Sequence, residues 1–101
     1  MSWLVLVLSG ILETVWAAAL KSFSRPASIV TFVVALVLSM AGLAYALREI
    51  PLGTGYAVWV GIGTIGTAVY GIFAFGDSAS AARITCLVLI AAGVVGLKLL
   101  P

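Results

Sequence analysis

The sequence predicts an all-α membrane protein with four transmembrane helices, and three observations lead there. Of its 101 residues 64% are hydrophobic and only 8% charged, where soluble domains average about 45 to 50% and about 25%. The charges divide the chain into four apolar stretches, each near the roughly 20 residues that cross a bilayer. Turn-forming residues stand between them at Ser24-Arg25-Pro26, Ile50-Pro51-Leu52-Gly53 and Gly76-Asp77-Ser78. The reading is one transmembrane domain over residues 1–101, with helices near 3–21, 27–48, 52–75 and 80–99 and no room for a soluble domain. Five scattered basic residues are too few for a nucleic-acid surface. One cysteine and no histidine leave no intrachain disulfide framework, no Cys/His metal site and no Ser-His-Asp triad. No metal, cofactor or enzymatic activity is expected.

The first helix contains an acid. Residues 1–12 and 14–20 are uncharged, and Glu13 stands between them. The stretch lacks a basic leader segment and carries Glu13 in its apolar centre, so a cleaved signal peptide is not expected. A central carboxylate costs about 2.5 to 3.5 kcal/mol on insertion scales and ordinarily faces protein or water, which makes Glu13 the focal residue. Helical spacing puts Leu6, Ser9, Gly10, Trp16, Ala17 and Leu20 on its face, so small residues leave room for a ligand beside one indole. Two such acids brought together in a dimer would titrate as a coupled pair.

Residues 26–47 give 22 uncharged positions before Arg48 and Glu49. Ala35, Ser39, Gly42 and Ala46 form a stripe of small residues on which another helix can pack closely. Ser39 is its one hydroxyl, free either to orient Glu13 or a ligand N–H or to bond its own backbone. The third stretch, 50–76, has 27 uncharged residues and is both glycine-rich and aromatic. Tyr56, Trp59, Gly63, Gly66 and Tyr70 share a face, which reads as a wall for a cation or as an interfacial aromatic belt. Gly61 and Gly63 weaken the helix and make a candidate hinge. The fourth stretch holds 14 uncharged residues between Arg83 and Lys98, enough to cross if both basic side chains reach outward. Ala92, Gly93 and Gly96 form a small-residue pattern for helix packing or dimerisation.

Charge bias barely orients the chain. Lys21, Arg25 and Arg83 fall on one side, and Arg48, Lys98 and the amino terminus on the other. The positive-inside rule then has little to choose with, and dual topology follows unless another feature fixes the orientation. Chains inserted both ways can form an antiparallel dimer, equivalent to the inverted repeat of larger transporters.

Over essentially its whole length the chain resembles the small multidrug resistance family. Glu13-Thr14-Val15-Trp16-Ala17-Ala18-Ala19-Leu20-Lys21 is similar to the segment of the guanidinium exporter subtype, Trp16 included. Pro51 to Gly63 and the closing Gly96-Leu97-Lys98 agree with it. The first loop, Ser22 to Pro26, is about three residues shorter than usual in the family, and Gly55 stands where alanine is common. The resemblance implies a multi-pass protein of the bacterial inner membrane, an antiparallel homodimer that exchanges guanidinium for protons by alternating access. Glu13 of each subunit would be the binding carboxylate, with Ser39 and Trp16 hydrogen-bonding around it. Tyr56 and Trp59 would line the site, and Gly10 would be the close-packed position beside it. The residues also admit export of bulkier quaternary ammonium or aromatic cations, a heteromeric pair within the family, or a helical protein that only packs against a larger partner.

Overall fold

Four helices follow the four apolar stretches: α1 (Ser2–Leu20), α2 (Pro26–Ala46), α3 (Leu52–Phe75) and α4 (Ala81–Leu99). They come from a computed structural model that describes residues 1–21 and 24–100, so Ser22 and Phe23 of the short first loop, and Pro101, lie outside the described residues. All four helices are long and apolar enough to cross a membrane.

Local chemistry sets their ends. Pro26 opens α2, where its missing N–H costs nothing. Helix α2 stops two residues before the expected Arg48, because the approach to Pro51 tightens: Arg48 N–H bonds Tyr45 O and Glu49 N–H bonds Ala46 O, both at 3.2 Å. Gly76 ends α3 in the left-handed conformation, at φ 69° and ψ 24°. Ser80 caps α4 by accepting the Arg83 backbone N–H at 3.2 Å.

Helix α1 is central, packed on both α2 and α3, while α4 lies along α3 alone. Glycines let the backbones meet. A Cβ on Gly42 would overlap Ser9 Oγ, and one on Gly10 would sit 2.9 Å from Ile62 Cγ2. Without an apolar driving force between helices in lipid, this close packing is what holds them.

The core is gathered at one end of the bundle. Leu6, Leu43, Ala46, Ile50, Val58 and Trp59 are buried together there, where α1 begins, α2 ends and α3 begins. Ser2 Oγ donates to the Glu49 carboxylate and ties the first turn of α1 to the α2–α3 loop. Lys98 lies over the Trp3 ring at 4.9 Å and joins the end of α4 to the same cluster. Past the middle of α1 the buried apolar residues stop and two cavities open.

Candidate functional site

Glu13 lies two-thirds of the way along α1, where the core ends. Its carboxylate rests on α3 at Gly63, and a Cβ on Gly63 would overlap Glu13 Oε1. Only glycine therefore leaves room for the acid between these two helices. The side chain faces a cavity of about 450 Å³ bounded by Trp16, Gly63, Thr64, Thr67 and Asp77. A larger space of about 550 Å³ between α1, α2 and α3 is lined by Thr14, Ser28, Thr31, Tyr70 and alanines, with no charged side chain. A membrane helix bears the cost of an acid only where the acid meets polar partners, water or a ligand, so the smaller cavity is the candidate site.

Ser39 and Trp59, expected at the site, lie outside this cavity's lining and form a buried hydrogen-bonded link on its core side. Ser39 Oγ donates to the Ser9 carbonyl at 2.7 Å and accepts from Trp59 Nε1 at 3.1 Å, linking α2, α1 and α3 through one hydroxyl. Of the two choices open to Ser39, the structure shows neither a bond to its own helix nor one to Glu13 among the described residues. The hydroxyl positions Trp59 and reaches Glu13 only through the helices it holds. Trp16 lines the cavity together with Glu13, and its Nε1 is buried without a hydrogen-bond partner among the described residues. Its ring meets Phe32 edge-on at 6.0 Å. An indole N–H in that state costs about 1 to 3 kcal/mol until something accepts it, so it is available to a ligand or a second chain.

The aromatic face of α3 divides. Trp59 is buried and Tyr56 is 54% exposed, with the two rings 5.8 Å apart. Tyr70 pairs instead with Phe75 at 5.7 Å and borders the other cavity. Gly61 and Gly63 lie within an unbroken α3 and both are buried, Gly63 under Glu13 and Gly61 under Val94 of α4. On α4, no atom comes within 4 Å of a Cβ built at Gly93 or Gly96, and no residue of the helix is buried. Gly93 and Gly96 therefore face open space among the described residues, and Ala92 beside them is exposed.

The profile of the Small Multidrug Resistance protein family matches residues 1–90. The chain belongs to the small multidrug resistance family. Among its relatives, the "Guanidinium exporter" of Escherichia coli (strain K12) is 50% identical over 102 residues, spanning 98% of this chain and 97% of the relative. That of Salmonella typhimurium is 49% identical with the same coverage. That of Yersinia pseudotuberculosis is 51% identical, covering 98% of both chains. Membership in this family, with four spanning helices, makes the chain a multi-pass protein of the inner membrane.

Sequence reasoning passed over Thr64, Thr67 and Asp77 as parts of the site. Thr64 and Thr67 could have been found as the polar positions one and four residues beyond Gly63 on α3. Asp77 read only as a turn residue. Its signal was an acid directly after a helix-ending glycine, where the chain folds back on the helix.

Proposed function

We propose that this member of the small multidrug resistance family exports guanidinium in exchange for protons, as an antiparallel homodimer. The observation that carries the reading is Glu13, seated on Gly63 and facing a cavity, with no Lys or Arg paired to it among the described residues. Such a carboxylate can take a proton or a cation. The relatives named "Guanidinium exporter" supply the substrate, and their resemblance to this chain runs its full length.

Guanidinium suits the site chemically. It is planar, delocalised and weakly hydrated, and its fork of N–H donors meets a carboxylate side-on. Trp16 lines the cavity and offers a ring face to replace the water that guanidinium sheds, at about 0.5 to 2 kcal/mol. Tyr56 and the buried Trp59 lie outside that lining, toward the closed end of the bundle. When proton and cation compete for Glu13, exchange follows wherever the loaded dimer can change sides and the empty one cannot. The proton gradient is then the energy source, and Gly61 and Gly63 remain the proposed place for α3 to bend.

The dimer rests on two features. The bare α4 face, with Ala92, Gly93 and Gly96, is built for close approach of another helix. The near-equal charge of the two ends, Lys21, Arg25 and Arg83 against Arg48, Lys98 and the amino terminus, lets the chain insert both ways. In an antiparallel pair each subunit can adopt the other's shape, which makes the inward- and outward-open states nearly equal in energy.

A second reading, export of quaternary ammonium or aromatic cations, is favoured by the exposed ring of Tyr56 beside Trp59. One experiment separates the two. Proton flux is recorded in sealed liposomes holding only the purified chain, with a gradient of guanidinium or of a tetraalkylammonium ion. The expected result is flux with guanidinium, little with the bulky ion, and none from Glu13→Gln. Flux with the bulky ion alone favours the second reading, and guanidinium flux that survives in Glu13→Gln overturns the site.

A further inference from the structure

We infer that Asp77 is a second cation-binding carboxylate, at the mouth of the Glu13 cavity, which captures the cation from water before Glu13 receives it. The inference rests on the exchange function proposed above and adds an entry site to it.

The placement of Asp77 follows from the end of α3. Gly76 takes a positive φ of 69°, and its N–H and that of Asp77 both bond the Gly71 carbonyl, the latter at 3.1 Å. This turn folds the chain back along the last turn of the helix. The Asp77 carboxylate then lies on buried Gly71, where a Cβ would overlap Oδ2. The arrangement repeats, eight residues further along α3, the way the Glu13 carboxylate lies on Gly63. Eight residues of helix put these two seats about 12 Å apart along the axis. Both acids line one cavity, and the hydroxyl-bearing Thr64 and Thr67 lie along the same wall.

Electrostatics gives this arrangement a use. The cavity is bordered by two acids and no basic side chain. An acid at a low-dielectric mouth focuses the field and raises the local concentration of cations. Asp77 is exposed and makes no side-chain ion pair or hydrogen bond among the described residues, so its charge is unspent. The turn itself uses the backbone N–H of residue 77 and does not require the carboxylate. Capture and release are therefore the functions left for the side chain, and Glu13 remains the group that couples cation to proton.

The test is guanidinium uptake into liposomes by the native chain, Asp77→Asn and Asp77→Glu, at about 0.01 M and about 1 M salt, where Debye lengths are about 30 and 3 Å. Asparagine keeps the turn and removes the charge. The expected result is a KM about three- to tenfold higher for Asp77→Asn at low salt with kcat unchanged, converging on the native value at high salt, and near-native behaviour for Asp77→Glu. Equal KM values for native and Asp77→Asn at low salt overturn the assignment. So does a loss of kcat at both salt concentrations that glutamate fails to rescue, because that is the mark of a purely structural residue. A native chain that moves no guanidinium overturns the transport reading and this assignment together, whereas a working native chain matched by Asp77→Asn overturns the assignment alone.

Discussion

Glu13 is held by what its neighbour lacks. A side chain on residue 63 would occupy the space of the carboxylate, so Gly63 matters through the room it leaves as well as through any bend it permits. The two roles make different predictions. Alanine is favoured over glycine within a helix by about 1 kcal/mol, so Gly63→Ala should not lower helix content. Its methyl group should push the carboxylate aside and weaken guanidinium binding about tenfold or more, equal to about 1.4 kcal/mol. Gly61→Ala is the control, because a Cβ there presses on Val94 of α4 and leaves Glu13 untouched. Calorimetric titration of both variants checks this. Equal loss of affinity in the two would assign the glycines to helix flexibility.

Helix α3 organises the site, since one face receives Glu13 at Gly63, another receives α4 at Gly61, and its last turn seats Asp77 at Gly71. Helix α4 is built differently. Apart from Lys98 over Trp3 it packs along α3 alone, and it leaves large apolar residues such as Val88, Leu89 and Val95 exposed, which lipid alone can cover, yet lipid has no need of the notch at Gly93 and Gly96. Gly93→Leu has nothing to strike within the chain. The expected outcome is unchanged helicity and a dimer fraction in lipid reduced about tenfold, read by crosslinking or single-molecule counting across protein dilution. An unaltered dimer fraction would place the interface elsewhere. The hinge and packing roles were hard to separate in the sequence for a physical reason. Helix propensity belongs to a residue and its immediate neighbours, so the weakness at Gly61 and Gly63 was legible. What approaches a glycine depends on a distant segment, so Glu13 over Gly63 was not.

The molecule as a whole is closed at one end by the cluster around Leu6, Leu43, Val58 and Trp59, and open at the other along the line from Glu13 to Asp77. The four helices were legible because membrane crossing is a property of composition and length, and the turns were marked by proline and glycine. Glu13 was legible because an acid in an apolar helix is costly. Ser39 was recognised as a polar group in a small-residue stripe, but its engagement with Ser9 and Trp59 needed the register of three helices. Asp77 was hidden because a loop acid carries no such cost, and only the fold-back over Gly71 turns it to the cavity. In the proposed exchange all these parts serve a single competition at Glu13. Guanidinium affinity of the purified dimer, measured by titration over a range of pH, tests that competition. Where Glu13 is protonated in the empty protein, affinity should fall about tenfold per proton displaced for each unit by which the pH is lowered, and Glu13→Gln should show neither strong binding nor this slope. Tight binding that stays constant through the titration of Glu13 would contradict a shared carboxylate.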